Sequence, residues 1–168
     1  MSKKIFIING SGGVGKDTFC EKCGHYTDVK VISSVELVKH FATEMGWNGQ
    51  KTPKDRKFLS DLKDLLTEYN DLPFRDIKRK VNEFKQDTDN MFLFIHIREP
   101  EEIERAKNEF NAKTVLVWNK NVSLINSNHA DANVYDYTYD VLIDNSVTLE
   151  ELEHEAERFV RFFIPKND

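Results

Sequence analysis

Gly10-Ser11-Gly12-Gly13-Val14-Gly15-Lys16 follows the apolar run Ile5-Phe6-Ile7-Ile8 near the start of the chain. The spacing is G-x-x-x-x-G-K, in which small residues let successive backbone N–H groups point at a polyphosphate and the lysine adds a mobile positive charge. Four of the chain's seven glycines fall within this segment. The strand-like run before the segment and the helical pattern after it supply the context that the motif requires. The sequence therefore predicts a phosphate-binding P-loop between a strand and a helix.

The length and composition indicate a single domain and give no sign of a nucleic acid or membrane partner. The chain has 168 residues, with 24 Lys and Arg, 29 Asp and Glu, and a net charge of −5. The basic residues are scattered, which argues against a nucleic acid partner. The apolar runs are shorter than the roughly 20 residues of a membrane span, and the first residues lack the apolar region of a signal peptide. We therefore expect a cytoplasmic protein without a membrane partner, and the sequence gives no indication of its oligomeric state.

Strand-like and helix-like patterns alternate along the whole chain. The predicted strands are 3–9, 30–34, 91–97, 113–118 and 139–143. This alternation predicts a three-layer α/β fold with a five-stranded parallel sheet. Residues 35–88 contain more helix than one crossover between strands needs, so we interpret them as a helical insertion that binds the acceptor. Ser33 and Glu36 have the spacing of a capping box at its first helix, and Thr52 is placed to cap its second.

Ligands of open α/β sheets gather at the carboxyl ends of the strands. Ser34, Arg98, Asn119-Lys120 and 144–147 follow the predicted strands and are therefore candidate site residues. Arg98 is the strongest of these, because a charge at the end of a buried strand has little reason to be there otherwise. Cys20 and Cys23 form a C-x-x-C pair, which we interpret as packing residues because no second ligand cluster accompanies them.

Two common classes of P-loop protein fit the sequence poorly. Asn119-Lys120 imitates the guanine-reading N-K-x-D motif of GTPases, but Val122 stands where the Asp would be, and the chain contains no D-x-x-G. Motor and helicase ATPases normally end a buried strand with an Asp that holds magnesium through water, whereas the predicted strand 91–97 carries His96. These departures favour a kinase that acts on small molecules.

Three motifs carry a resemblance to a family. Gly15-Lys16-Asp17-Thr18, Ile97-Arg98-x-Pro100-x-Glu102 and the segment from Tyr139 to Leu152 resemble the deoxynucleoside monophosphate kinases and their phosphomevalonate kinase relatives. The pattern spans nearly the whole chain. The resemblance implies a P-loop kinase fold, ATP with Mg²⁺ as the donor and a small phosphorylated molecule as the acceptor.

The resemblance also implies roles for individual residues. The P-loop and Lys16 would contact the donor phosphates, and Arg98 would contact the acceptor phosphate. Apart from the resemblance, Asp17 is a candidate to order a water bound to Mg²⁺ and so to compensate in part for His96, although an acidic residue in the first turn is equally explained by the helix dipole. The predicted catalytic residues are Lys16, Asp17 and Arg98. The predicted ATP-binding residues are Gly10, Ser11, Gly12, Gly13, Val14, Gly15, Lys16, Asp17, Thr18, Lys120 and Asn145.

The acceptor side is less defined. Its candidate residues are Ser34, Arg56, Arg75, Arg79 and Arg98, and residues 119–138 are a candidate lid over the donor. Family members often carry Asp where this chain has His96, which leaves the catalytic competence open. A phosphate acceptor is already ionised at neutral pH and needs no strong base, so a phosphate acceptor is favoured over a sugar hydroxyl. With the resemblance, this makes a (deoxy)nucleoside monophosphate the expected acceptor. The alternatives are a phosphomevalonate or dephospho-coenzyme A type kinase, or a nucleotide-binding regulatory protein without kinase activity.

Overall fold

One parallel sheet organises the computed structural model, which describes residues 3–123 and 133–164. Its strands are β1 (Lys4–Asn9), β2 (Val29–Ser33), β3 (Phe92–His96), β4 (Lys113–Trp118) and β5 (Val141–Asp144). Their order across the sheet is β2-β3-β1-β4-β5, and each neighbouring pair is parallel. The predicted five-stranded parallel sheet is confirmed.

Helices cover both faces of this sheet. They are α1 (Lys16–Cys23), α2 (Glu36–Glu44), α3 (Pro53–Asn70), α4 (Leu72–Gln86), α5 (Pro100–Phe110) and α6 (Leu149–Phe163). Because successive strand residues point to opposite faces, Phe6 and Ile8 pack with α1 and α6, whereas Ile5 and Ile7 pack with α4 and α5. Central strands buried on both faces read as continuous apolar runs. In the described part of the chain, no helix is long and apolar enough to cross a membrane.

The extra helical region stands partly apart from this core. Helix α4 buries its apolar face against the sheet, with Phe84 and Val81 fully buried. The buried residues of α2 and α3 form a separate small cluster around Val38, Ala42 and Leu62. Helix α4 is therefore part of the main core. Of residues 35–88, this leaves α2, α3 and the connection between them to form a site beside the sheet.

Local sequence signals explain where α3 begins and ends. Thr52 Oγ1 accepts a hydrogen bond from Asp55 N, and the Asp55 side chain accepts one from Thr52 N, so a capping box begins the helix. Asp71 ends α3 with φ of 57°, and its carboxylate accepts two hydrogen bonds from Arg105 of α5. These bonds tie the joint between α3 and α4 to the main body.

The capping box predicted at α2 is wrong. Ser33 Oγ instead accepts a long bond of 3.4 Å from Val35 N, and α2 has no side-chain cap. The Glu36 carboxylate is held by Lys80 of α4 at 2.9 Å. The helix begins only at Glu36, with Val35 at its N-cap, so Ser33 lies two residues before the cap and Glu36 is the first helical residue, where a capping box cannot form.

Candidate phosphate-binding site

The loop between β1 and α1 has the backbone that its glycines predict. Gly10 and Gly15 have φ of 152° and 96°, values that L side chains rarely adopt. A Cβ on Gly10 would lie 2.4 Å from the Val117 carbonyl oxygen, and one on Gly15 would lie 2.4 Å from Asn145 Nδ2. Both positions thus need glycine for space as well as for conformation.

Lys16 folds back over this loop. Its Nζ donates hydrogen bonds to the carbonyl oxygens of Gly10 at 2.7 Å and Ser11 at 3.1 Å. The ammonium group is thereby held against the concave backbone that would surround a polyphosphate. Ser11 and Val14 are buried, whereas Gly12, Gly13 and Thr18 lie nearer the surface.

Residues that follow β4 and β5 lie next to the P-loop. Asn145 Nδ2 donates to the Val14 carbonyl at 2.9 Å, so this predicted ATP-binding residue fixes the loop backbone. Ser146 Oγ accepts a bond from the backbone N–H of Lys120 at 3.0 Å, while the Lys120 side chain is exposed. The structure thus brings both segments to the P-loop and assigns Asn145 a structural contact that the sequence did not predict.

His96 lies beside Asp17 at the carboxyl end of β3. In the sheet register His96 faces Ile8 of β1 and Ser33 of β2, and its Nε2 is 3.4 Å from Asp17 Oδ1. The Asp17 side chain is 94% exposed and that of His96 only 16%. Burial lowers the pKa of His96 to about 4, against the opposing influence of Asp17. The imidazole is therefore neutral at pH 7.

Arg98 follows β3 by two residues and is half-buried. Its carbonyl oxygen accepts a bond of 3.2 Å from Asn9 Nδ2, which fixes the backbone at the end of the strand. The positive charges of Lys16, Arg98 and Lys39 all help to lower the pKa of His96, so they lie around the same end of the sheet. Ser34, which is buried, donates its backbone N–H to the His96 carbonyl.

Sequence reasoning missed two cations of this group, Lys39 and Lys51. The pKa of Lys39 is lowered by partial burial of its ammonium group, then by the charges of Lys51 and Arg98. Asp17 and Glu36 oppose this shift with smaller effects. Lys39 looks like an ordinary solvent-facing lysine of an amphipathic helix. Only the fold shows that Lys51 and Arg98 lie close enough to affect it.

The other predicted acceptor residues are distributed along α3 and α4. Arg56 Nε donates to the Lys51 carbonyl at 3.2 Å. Arg79 is paired with Asp76 and Glu83 on the exposed side of α4, and Arg75 is exposed on the same helix.

The candidate lid is only partly described, since residues 124–132 lie outside the described chain. The last residues of the candidate lid are held in place by hydrogen bonds. Val134 is buried, and its carbonyl accepts a bond from Tyr139 Oη at 2.8 Å. Tyr139 Oη in turn accepts from Asn9 Nδ2 at 2.8 Å, and Tyr137 Oη donates to Glu104 at 2.6 Å. The end of the segment is thereby tied to β1, directly before the P-loop, and to α5.

An open cavity of about 510 Å³ lies between α1 and the edge strand β2. It shares Asp17 with the phosphate loop, and Glu21 and Asp28 also line it. This acidic lining does not suit a phosphate group. Cys20 borders the cavity, and Cys20 and Cys23 are both buried and unbridged, with burial raising the pKa of both thiols. Their predicted role as packing residues agrees with this placement.

The described residues contain no group of three or more His, Cys, Asp or Glu side chains arranged to hold a metal ion. Mg²⁺ is commonly held by one or two carboxylates together with water and substrate phosphates, without a full protein cage. The exposed carboxylate of Asp17, directly after Lys16, fits that arrangement.

No protein-family model matches the chain, and no curated protein matches it either. Among solved structures it is similar to TT1252 from Thermus thermophilus, with 15% identity, a TM-score of 0.57 and coverage of 96% of this chain and 98% of that one. It is also similar to shikimate kinase from Aquifex aeolicus, with 10% identity, 97% and 99% coverage and a TM-score of 0.49. A third similar structure is the APS kinase CysC from Mycobacterium tuberculosis. It has 11% identity and a TM-score of 0.45, and the match covers 95% of this chain and 98% of that one.

The similarity to TT1252 bears on the fold alone. The match to TT1252 covers nearly all of both chains, and it agrees with the parallel sheet and the glycine-rich loop after β1. Sheet, loop and neighbour together define the chain as a three-layer α/β protein with a P-loop fold.

Proposed function

We propose that this protein is a kinase that transfers the γ-phosphoryl group of ATP to a small phosphorylated acceptor, a (deoxy)nucleoside monophosphate. One observation carries the proposal. A loop shaped for a polyphosphate and a group of cations that includes Arg98 and Lys39 lie at the same end of the sheet, where Asp17 and His96 are 3.4 Å apart. ATP and the phosphorylated acceptor are both anions, so each would be bound by positive charge at this end of the sheet.

The donor half consists of the P-loop. Its backbone N–H groups would surround the β-phosphate, and Lys16 would leave the carbonyls of Gly10 and Ser11 to neutralise charge on the transferred group. Thr18 and the exposed Asp17 would serve phosphate or Mg²⁺, with Asp17 acting through a bound water. When bound, Mg²⁺ would neutralise charge on the donor phosphates.

The acceptor half is centred on Arg98. A guanidinium group suits phosphate because its planar donors match two oxygens at once. Arg56 would contribute indirectly, since it holds the backbone of Lys51. Arg75 and Arg79, which lie on the exposed side of α4, would contact the acceptor only through closure of the helical region.

His96 supports a phosphate acceptor over a hydroxyl acceptor. With a pKa of about 4, its neutral imidazole is a weak base and would remove a hydroxyl proton poorly. A phosphate oxygen is already ionised at neutral pH and needs only positioning and charge neutralisation. A phosphomevalonate-type acceptor meets the same requirement and is the second candidate, since the sequence motifs resemble both groups of kinases.

A coupled assay of ADP release tests the proposal. The protein is supplied with ATP, Mg²⁺ and each of a panel of nucleoside monophosphates and phosphomevalonate. We expect acceptor-dependent turnover that Lys16→Met reduces at least about 100-fold, because the charge on the transferred group is then unopposed. Lys57→Gln, an exposed lysine of α3, is the matched control and should keep full activity. ATP binding without transfer to any acceptor would instead identify a nucleotide-binding protein without kinase activity.

A further inference from the structure

We propose that Asn9 is a positioning residue of the acceptor site: its buried amide fixes the backbone that carries Arg98, and Tyr139 fixes the orientation of that amide. The inference rests on the proposed function, because it takes Arg98 as the residue that binds the acceptor phosphate. Asn9 directly precedes Gly10, the first residue of the phosphate-binding loop. Its place in the chain alone would therefore predict a role toward ATP, whereas its contacts point to the acceptor.

The segment that carries Arg98 is short and lies beyond the paired part of the sheet. Strand β3 ends at His96 and α5 begins at Pro100, so Arg98 is the middle residue of a three-residue connection. The pairing of β1 with β3 reaches Ile8 and His96. Beyond that point the side chain of Asn9 bonds to the connection, since its Nδ2 donates to the Arg98 carbonyl at 3.2 Å. This bond restricts the direction in which the Arg98 side chain leaves the backbone.

A second bond orients the amide of Asn9. Its Nδ2 also donates to Tyr139 Oη at 2.8 Å, and Tyr139 Oη donates to the Val134 carbonyl at 2.8 Å. The Arg98 carbonyl can only accept, so the nitrogen of the amide must face it. Burial raises the pKa of Tyr139 to about 12, so at neutral pH the phenol keeps the proton that it donates to Val134. The donors and acceptors of this group therefore have one consistent assignment.

The amide of Asn9 leaves one buried atom unpaired. Asn9 is only 1% exposed, and within the part of the chain that the structure describes its Oδ1 is buried without a hydrogen-bond partner. An unpaired buried acceptor lowers stability. Stability alone therefore does not explain an asparagine at this position. Its two donated bonds are what distinguish it from Ile7 and Ile8, the apolar residues before it on β1.

Calorimetric titrations of the full chain test this role. The probes are ATP, phosphomevalonate, inorganic phosphate and the monophosphates dAMP, dGMP, dCMP and dTMP. Asn9→Ala should raise the Kd of the best phosphorylated acceptor about 10-fold, the equivalent of one hydrogen bond, and should change the Kd of ATP less than about twofold. Thr114→Ala is the matched control, because Thr114 is also fully buried, on the neighbouring strand β4, and its hydroxyl bonds to Asp140. The control should lose stability but keep both affinities.

A double variant tests whether Asn9 acts through Arg98. If it does, adding Asn9→Ala to Arg98→Ala should change the acceptor affinity no further, within about twofold. Tyr139→Phe keeps the bond from Asn9 to Arg98 and removes only the bond that orients the amide. It should weaken acceptor binding about threefold, and it provides the test if Asn9→Ala does not fold.

Phosphoryl transfer by the wild type with unchanged acceptor affinity in Asn9→Ala and Tyr139→Phe would overturn the inference and leave the proposed function standing. Equal weakening of ATP and acceptor binding would assign Asn9 to the P-loop and overturn the inference, as would additive effects in the double variant. Acceptor affinity that depends on Asn9 only while Arg98 is present, in a protein without phosphoryl transfer, would support the inference and refute the kinase. Failure of every acceptor probe to bind the wild type would overturn the inference.

Discussion

At the scale of single residues, the contact between Gly15 and Asn145 defines the shape of the P-loop. Asn145 Nδ2 bonds to the Val14 carbonyl and occupies the space that a Cβ on Gly15 would enter. The loop is therefore held both by its own backbone and by a side chain from the far end of the sequence.

Gly15→Ala tests this contact. It combines an unfavourable φ, which costs about 1–3 kcal/mol, with a clash against Asn145. Gly49→Ala is the matched control, because Gly49 has φ of 85° but open space around the Cβ position. Urea unfolding should show the larger loss of stability for Gly15→Ala, and ATP affinity should fall only in that variant. Equal losses in both variants would contradict the assigned contact.

His96 makes a prediction about pH. The pKa is 6.5 in the unfolded chain and about 4 in the folded one, so the unfolded state binds more protons between these values. The stability is therefore complete above pH 6.5 and is lost as the pH falls toward 4, with a loss of about 2 kcal/mol between pH 7 and pH 5. Urea unfolding at these two pH values should show a smaller fall for His96→Gln than for the wild type. His40→Gln, an exposed control on α2, should keep the wild-type fall, and an unchanged fall in His96→Gln would refute the burial argument.

At this scale, the sequence predicted the residues of the P-loop but only part of the rest of the candidate site. The loop residues follow from local spacing, because one turn of backbone between a strand and a helix defines them. Lys39 does not follow, since the charges that affect it, Lys51 and Arg98, belong to other segments of the chain. Asn145 is close to the loop as predicted, but its bond to Val14 joins residues 131 positions apart.

At the scale of elements, the starts of α2 and α3 make an instructive pair. The sequence offers a capping-box spacing at both, yet only Thr52 stands at an N-cap and forms the reciprocal bonds, whereas the N-cap of α2 is Val35. Helix α2 starts two residues later than the spacing predicts, and its first residue, Glu36, pairs with Lys80 of α4, a contact that the local sequence does not reveal.

The two starts should differ in mutational cost. Thr52→Ala removes a bonded cap and should lower the free energy of unfolding by about 1 kcal/mol. Ser33→Ala removes only a long bond of 3.4 Å and should cost clearly less. Equilibrium unfolding in urea compares the two variants, and equal costs would contradict the difference in capping.

Helices α2 and α3 should open independently of the sheet. Their buried residues form a cluster separate from the main core, while α4 contributes Phe84 and Val81 to that core. Small clusters and few buried contacts permit local unfolding below the global free energy. Hydrogen exchange followed by mass spectrometry should show faster exchange in α3 than in α4, and a bound acceptor should slow it. Equal protection of the two helices without ligand would be evidence against this division.

At the scale of the whole molecule, most of the fold could be predicted from the alternation of patterns. The strands of a sheet covered on both faces are short apolar runs, and the helices show one apolar side each, so their number and type were accessible. The strand order β2-β3-β1-β4-β5 was not, because pairing joins segments distant in sequence. The distinction between α4 as part of the core and α2 with α3 as a separate cluster also required the structure.

The proposed donor and acceptor halves come from different parts of the chain. The P-loop follows β1, Arg98 follows β3, and Lys39 lies on the helix after β2. Parallel strands bring these segments to one edge of the sheet. A reaction that needs two bound anions can be assembled there without any single continuous motif.

The central claim is direct transfer of phosphate from ATP to an acceptor phosphate, and ³¹P NMR of the reaction mixture measures it. With ATP, Mg²⁺ and the best monophosphate, we predict loss of the γ-phosphate signal and the matching appearance of a phosphoanhydride in the acceptor, abolished in Lys16→Met. Release of free phosphate without a new phosphoanhydride, or no loss of the γ-phosphate signal with any acceptor, would contradict the account.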